Sequence, residues 1–346
     1  MAINSFTLTN PVFDSIGSVL HPKPALANHS CNPNAFVRFD VPPASSAADL
    51  PIGGNISVHA LRPIRKDEEI TISYVDTIYP FDRRQQELKE RYFFTCRCDL
   101  CALRRDSPRD RYYLPSTAAV QEDGEHTIDP EVAKVGNGAE EVFLGIESQA
   151  GLEYTQTDHI KSAMVQLAKS SSWPLYRYPW PQLRQRLFLG LLDSEQYFEA
   201  LLNSATLVRM VNPIMFDQSY HPVPLIQMWT LWNLCRYCLN ARMQNGNPSD
   251  KDRHEVRIFG LLSCVVLDEV VRALNDGVKV NGALERMVDE ALENVKNEGI
   301  FWAEYSGDRE GVSKASWAWI DNTIDAMLRD EQVSLDVITL SLVKQG

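Results

Sequence analysis

The period of the hydrophobic pattern changes once along the chain. Up to about residue 80 the apolar positions alternate with polar ones in short runs broken by turn residues. Ser5-Phe6-Thr7-Leu8 alternates in this way and is ended by Asn10-Pro11. Ala35-Phe36-Val37-Arg38-Phe39, Ile56-Ser57-Val58-His59-Ala60 and Ile70-Thr71-Ile72-Ser73-Tyr74 read as further strands. In the last of these Ile70, Ile72 and Tyr74 fall on one face, which turns Tyr74 toward the core side. Pro42 through Asn55, rich in Pro, Ser and Gly, is a loose connection, and Lys66-Asp67-Glu68-Glu69 is a solvated turn.

Beyond residue 80 the pattern predicts helices. Asp82 is placed to cap a short helix running to about Tyr92, with Gln85 as its capping partner. Residues 102–150 are charged and glycine-bearing, as in Gln121-Glu122-Asp123-Gly124-Glu125, and read as a linker or irregular loop. From about 150 the spacing is helical. Leu183, Leu187, Leu191 and Leu192 share one face, as do Trp229, Trp232, Leu234 and Cys235. Further helices are expected at 253–275, 283–298, 314–329 and 331–344. The expectation is an α+β protein whose C-terminal part is an antiparallel all-α domain. It shows no clean repeat of about 34 residues.

Composition narrows the classes. A chain of 346 residues is long enough for two or three domains, and 44% hydrophobic with 23% charged residues is ordinary globular content. No run of about 20 apolar residues is present, so no membrane span is expected. Met1-Ala2-Ile3-Asn4-Ser5-Phe6 has neither a basic nor an apolar leader region, so the expectation is nucleus or cytoplasm and not secretion. A net charge of −12 argues against direct nucleic-acid binding and for attraction to lysine-rich protein segments.

Seven cysteines are present, and Cys31, Cys96, Cys98 and Cys101 lie in the first third of the chain. That clustering favours metal over disulfides in a reducing compartment. Three thiols at Cys96-x-Cys98-x-x-Cys101 can wrap one tetrahedral ion, leaving the fourth position to Cys31, Cys235, Cys238, Cys264 or a histidine. Cys235, Cys238 and Cys264 sit in apolar helical runs and read as small core residues. The stretch Asn28-His29-Ser30-Cys31-Asn32-Pro33-Asn34 is polar throughout and short of one backbone donor at Pro33, so it demands partners if buried.

Taken together, Asn28-His29-Ser30-Cys31-x-Pro33-Asn34, the strand ending Ile72-Ser73-Tyr74, and Tyr92-x-Phe94-x-Cys96-x-Cys98-x-x-Cys101 resemble the C-terminal half of a SET domain with its post-SET zinc motif. The resemblance is closest to the SET-and-MYND (SMYD-like) protein-lysine methyltransferases, and covers roughly residues 3–101. It divides the chain into the C-terminal half of SET over 1–80, a post-SET segment over 81–104, a linker over 105–150, and a tetratricopeptide-like helical domain over 151–346. It implies an S-adenosylmethionine-dependent lysine N-methyltransferase acting on a histone or another lysine-containing protein, with a protein partner on the helical domain. By the same resemblance Cys31 completes a structural zinc site with Cys96, Cys98 and Cys101. Asn28 and His29 contact the cofactor through backbone and side chain, and Asn4 faces it as well. Tyr74 is the active-site tyrosine, Tyr92 and Phe94 wall the cofactor pocket and lysine channel, and Phe6 is a weaker channel residue.

The chain departs from the family pattern in two respects. The glycine-bearing cofactor motif of the N-terminal half of SET is not found, and neither Gly53-Gly54 nor Gly136-Asn137-Gly138 has the strand context to replace it. No second cysteine cluster forms a MYND finger. The expectation is a chain carrying about half of a cofactor site, inactive alone if nothing supplies the rest. The alternative is a non-catalytic zinc scaffold whose helices bind a partner.

Overall fold

The computed structural model describes residues 5–9, 15–40, 55–103, 107, 110, 130–147, 154–170, 173–218, 220–244, 249–280 and 282–334. Within these residues the strands form three two-stranded pairs and no continuous sheet. β1 (Ser5–Thr9) runs antiparallel to β2 (Ser15–Leu20), with Phe6 opposite Val19. β4 (Ala35–Asp40) and β5 (Asn55–Ala60) are antiparallel and set Phe36 opposite His59, ring centroids 5.7 Å apart. Such cross-strand ring pairs are the unit by which a small sheet is stabilised.

The third pair is parallel and minimal. β3 (Asn28–His29) lies beside β6 (Thr71–Ile72), with Asn28 opposite Thr71 and His29 opposite Ile72. The expected five-residue strand from Ile70 to Tyr74 is therefore not formed. Ile72 is buried, whereas Ile70 is 51% exposed, so the two do not share a core face. Side chains have taken the backbone donors that a longer ladder needs. The Thr71 N–H donates to Asn34 Oδ1 at 2.9 Å, and the Tyr74 N–H donates to His29 Nδ1 at 3.0 Å.

α1 spans Phe81–Tyr92 and the four-residue α2 spans Asp99–Ala102. Pro80 occupies the N-cap of α1, its carbonyl accepting from Arg84 N at 3.0 Å, so Asp82 lies inside the first turn and is not the cap. There its negative charge still suits the positive end of the helix. Gln85 is not a capping partner either; its amide is directed at Cys96, as described below.

The helical remainder comprises α3 (Pro130–Glu147), α4 (Tyr154–Lys169), α5 (Trp180–Asp193), α6 (Tyr197–Thr206), α7 (Asn212–Met215), α8 (Pro222–Met243), α9 (Asp250–Asn275), α10 (Gly282–Glu298), α11 (Ile300–Gly307) and α12 (Arg309–Asp330). α3 falls in the stretch expected to be irregular. Its glycines disguise a helical stripe in which Gly136, Ala139, Phe143 and Ile146 are buried. On α5 Leu183, Leu187 and Leu191 are buried as their spacing predicts, and Cys235, Cys238 and Cys264 are core residues. α12 begins earlier than expected because Asp308 caps it, accepting from Gly311 N at 3.0 Å. The helix expected from 331 does not start there. Gln332 is left-handed, at φ 66°, and Glu331 accepts from the buried Arg184 at 2.9 Å. The rest of that expected helix lies outside the described residues.

The chain forms two compact units. The first holds Met1–Ser107 with Phe216–Ile226 and Asp268–Asn297, and the second holds Pro108–Met215, Gln227–Leu267 and Glu298–Gly346. Two stretches of the helical sequence thus belong with the β-bearing region, a division that a single cut near residue 105 or 150 does not reproduce. The architecture is α+β, a region of short strands followed by a largely helical remainder.

Two glycines of α3 separate packing from propensity. A Cβ on Gly136 lies 2.3 Å from the Trp173 ring, whereas one on Gly138 meets nothing within 4 Å. Gly138→Ala is expected to stabilise by up to about 1 kcal/mol through helix propensity. Gly136→Ala is expected to destabilise by about 1–3 kcal/mol through overpacking. Urea unfolding of the full chain measures both; a more stable Gly136→Ala protein contradicts the Trp173 contact.

Candidate metal centre and aromatic cluster

In the first unit the small core is built partly from sulfur. Cys31, Val75, Leu88, Cys96, Leu100 and Cys101 are its buried members, with Tyr74, Phe81, Tyr92, Phe94 and Cys98 packed against them. The four sulfurs of Cys31, Cys96, Cys98 and Cys101 all lie within 4.8 Å of one another, and those of Cys31 and Cys101 are 3.4 Å apart. A tetrahedral ion with metal–sulfur bonds of about 2.3 Å sets its sulfurs about 3.8 Å apart. The donor set therefore fits one ion, and Cys235, Cys238 and Cys264 take no part in it.

Backbone geometry brings these ligands together. Cys31 lies just beyond β3, after Ser30, whose N–H donates to Ile72 O at 3.0 Å. Cys96 is clamped to α1 by both ends of the Gln85 amide. Nε2 donates to Cys96 O at 3.0 Å, and Oε1 accepts from Cys96 N at 3.0 Å. Cys98 is the N-cap of α2 and Cys101 lies within it, a turn closed by Ala102 N donating to Cys98 O at 2.9 Å.

The thiols divide in their proton affinity. Hydrogen bonds from Cys101, Cys31, Cys98 and lastly His29 hold Cys96 far below the usual thiol range, against burial. A hydrogen bond from Cys101, then one from Cys31, lowers Cys98 to about 5. Cys31 is pushed far up by its hydrogen bonds to Cys101, Cys96 and Cys98, and by burial. For Cys101 the bond to Cys31 pulls down, but those to Cys96 and Cys98, with burial, outweigh it. Four sulfurs this close, three of them buried, cannot all ionise side by side unless a cation sits among them.

Beside the sulfurs stands a cluster of rings. Tyr74 lies 4.9 Å from Tyr92, 6.5 Å edge-on from Phe94, and 5.2 Å from His29 by ring centroids. The Tyr74 hydroxyl donates to Ala27 O at 2.6 Å, and Tyr92 donates to Tyr74 O at 3.3 Å. Burial first, then the nearby Tyr92 and Glu69, raises the Tyr74 pKa, so its phenol stays protonated at neutral pH. Tyr92 and Phe94 both reach this cluster because Phe93 between them is left-handed, at φ 62°, with its own ring 78% exposed.

The remaining expected site residues are placed as follows. Asn28 is exposed, and its Nδ2 donates to Glu69 Oε1 at 2.6 Å. His29 has both ring nitrogens engaged inside the protein, Nδ1 by Tyr74 N and Nε2 at 3.3 Å from Cys31 Sγ. The side chain expected to face a cofactor is thus directed at Cys31 Sγ and at the Tyr74 backbone. Phe6 packs near Phe39, centroids 6.4 Å apart. Asn4 lies outside the described residues.

Three supporting residues had no role assigned from sequence. Asn34 is buried and satisfied on every side. Its Nδ2 donates to Glu68 Oε1 at 2.9 Å and Glu69 O at 2.8 Å, its Oδ1 accepts from Thr71 N, and its carbonyl accepts from Leu61 N at 2.8 Å. Glu68 also accepts from Arg62 Nη2 at 2.6 Å and Arg65 N at 2.9 Å. Gln218, far along the chain but in the same unit, donates through Nε2 to Pro33 O at 2.6 Å and Asn32 Oδ1 at 3.1 Å. For Asn34 the neighbouring Pro33 was a usable signal, since a buried polar turn must find partners. For Gln218 no local signal exists.

Comparison with known proteins agrees with the geometry. Residues 4–75 match the SET domain family. The chain is 27% identical over 202 residues to the SET domain and MYND-type zinc finger protein 6 of Schizosaccharomyces pombe, covering 57% of this chain and 32% of that protein. It is 36% identical over 98 residues to the human N-lysine methyltransferase SMYD2, covering 28% of this chain and 20% of that protein. With N-lysine methyltransferase SMYD2-A of Danio rerio the identity is 38% over 98 residues, at 28% and 20% coverage. The matches therefore span about a third or less of the length of these relatives.

Two tests follow from the local geometry. The Arg62 guanidinium first, then Arg65 N–H and Asn34, lowers Glu68 from the ordinary 4.5 to about 2. A group whose folded pKa is depressed stabilises above its unfolded pKa and loses that contribution as pH falls through the folded one. The stability gap between the wild type and Glu68→Gln is thus expected at neutral pH and to vanish between about 4.5 and 2. Acid titration by circular dichroism reads it, and a gap independent of pH contradicts the network. Phe93→Gly relieves a left-handed backbone that costs a side-chain residue about 1–2 kcal/mol. It should leave the Tyr74 environment intact in near-ultraviolet spectra without lowering the midpoint of unfolding.

Proposed function

We propose that this SMYD-like SET-domain protein is an S-adenosylmethionine-dependent protein-lysine N-methyltransferase with a structural zinc ion on Cys31, Cys96, Cys98 and Cys101. The observation that carries the reading is a juxtaposition. The β3–β6 pair sets His29 and Tyr74, both within the SET match, against Tyr92 and Phe94 of the cysteine-bearing segment. The naming of SMYD2 proteins as N-lysine methyltransferases supports the same class of reaction.

S-adenosylmethionine, when bound, supplies an electrophilic methyl group on a sulfonium. The residues of this chain contribute alignment and an environment. Asn28, the His29 backbone, Asn4, Tyr92 and Phe94 are the proposed cofactor contacts. Tyr74, neutral and tethered to Ala27 O, presents a fixed phenol beside the reacting amine and not a phenolate base. Holding an amine in line with a methyl group contributes up to about 7–11 kcal/mol toward the barrier. Aromatic walls favour the cationic lysine and its methylated product by roughly 0.5–2 kcal/mol each. Weak C–H···O contacts from nearby oxygens add to this. Four thiolates leave zinc no open position for water, so its role is to hold Tyr92 and Phe94 against Tyr74.

The substrate in this reading is a lysine-containing protein, histones included, which the net charge of −12 attracts. The helical region, tetratricopeptide-like in this reading, is the proposed docking part for a protein partner, and the setting is nucleus or cytoplasm. No helix among the described residues is long and apolar enough to cross a membrane.

The test uses the full chain. Calorimetry with S-adenosylmethionine and labelled methyl transfer to a lysine-rich peptide are both expected to be positive. Tyr74→Phe should retain cofactor binding and lower kcat by about 10²-fold, the scale on which misalignment acts. Cys98→Ser should lose zinc by metal analysis and weaken cofactor binding. No heat at millimolar cofactor together with no transfer would sink the enzymatic reading.

A further inference from the structure

The His29 side chain has no part in the proposed mechanism, although it hydrogen-bonds both to Cys31 Sγ and to the Tyr74 backbone. We propose that His29 is a positioning residue that links the metal centre to the active-site tyrosine, donating from Nε2 to Cys31 Sγ while Nδ1 holds the Tyr74 backbone N–H. This inference rests on the zinc reading of the four cysteines for its metal half.

The assignment of donor and acceptor is forced by the backbone. The Tyr74 N–H can only donate, and it points at His29 Nδ1 from 3.0 Å. Nδ1 must therefore carry a lone pair, which places the ring proton on Nε2. Nε2 lies 3.3 Å from Cys31 Sγ, so that proton is shared with the sulfur. The ring is also packed where it stands, its centroid 5.2 Å from the Tyr74 ring and 5.8 Å from the Phe94 ring. β3 supplies the register, since His29 pairs with Ile72 and so lies level with the backbone that leads into Tyr74.

Two consequences follow. An N–H donated to a metal-bound thiolate withdraws charge from sulfur and orients it, which is how partners beyond the ligands tune a metal site. The same ring replaces the ladder bond that Tyr74 gives up where β6 stops at Ile72. Occupancy of the metal site and placement of the Tyr74 backbone are then coupled through one imidazole. Tyr74 is held at both ends, by His29 at its N–H and by Ala27 at its hydroxyl.

The experiment separates the two bonds. The Asn side-chain amide reaches the place of imidazole Nδ1, and the Gln amide reaches that of Nε2. In full-length protein, His29→Asn should keep the Tyr74 N–H bond and lose the donor to Cys31. Its Zn²⁺ affinity, measured by competition with a chromophoric chelator, should fall about 10–100-fold. His29→Gln should hold Zn²⁺ near wild-type affinity while the Tyr74 amide exchanges faster with deuterated solvent. His29→Phe, which keeps packing alone, should show both defects. In the unmodified zinc-loaded protein, ¹⁵N imidazole spectra should show Nδ1 unprotonated and Nε2 protonated. The opposite tautomer, or wild-type zinc affinity and Tyr74 protection in His29→Phe, overturns the proposal without touching the zinc reading. Failure of the wild-type chain to bind Zn²⁺ overturns the zinc reading and the Cys31 half of the proposal with it.

Discussion

The sulfurs of Cys31 and Cys101 meet at 3.4 Å although the residues are 70 apart in sequence, and the β-bearing unit depends on that meeting. Three two-stranded pairs have little capacity to bury apolar surface. Half of the buried residues in the core beside Tyr74 are cysteines, the others being Val75, Leu88 and Leu100. A core of that composition gains little from the hydrophobic effect alone. One ion joining the four sulfurs, as proposed, would replace missing apolar area with coordinate bonds, as in small metal-containing domains.

Around the sulfurs the polar groups are arranged to leave few loose ends. Gln85 closes on Cys96 with both amide atoms, and Asn34 makes bonds through Nδ2, Oδ1 and its carbonyl. Fully satisfied networks of this kind specify one arrangement, since each member would be costly if left unpaired in a low-dielectric setting. Asn34 and Glu68 hold the turn before β6, β6 holds β3, and β3 delivers His29 and Cys31. Cys31 is thus placed by hydrogen bonds that begin well away from any sulfur.

Where local chemistry decides, the sequence was readable. The three clustered cysteines, the leucine face of α5 and the strands β4 and β5 all follow from spacing over a few residues. The fourth sulfur came from family likeness, since spacing alone set Cys31 apart from Cys235, Cys238 and Cys264 only by their apolar helical setting and left a histidine open as well. What escaped is what depends on distant partners. Ile70-Thr71-Ile72-Ser73-Tyr74 has a strand pattern, yet Asn34 and His29 intercept its backbone donors. α3 has three glycines that argue against a helix, one of which, Gly136, makes room for the Trp173 ring. Asp82 and Gln85 have the spacing of a capping pair, but Pro80 already occupies the cap and Gln85 finds Cys96 instead. Gln218 reaches Pro33 across most of the chain, which no window of sequence discloses.

The left-handed turn at Phe93 carries a consequence for how this region tolerates change. Tyr92 ends a helix and Phe94 opens the segment that leads to Cys96, yet both rings face Tyr74 because a single reversed residue separates them. The wall they form is therefore encoded by chain length as much as by side-chain identity. Exchanging one aromatic residue for another alters the wall's surface. Inserting or deleting one residue would rotate Phe94 away and offset Cys96 from the Gln85 amide in the same stroke. The ring cluster and the four-sulfur cluster thus share one frame of reference, and the spacing from Tyr92 to Cys96 is a ruler that both must obey.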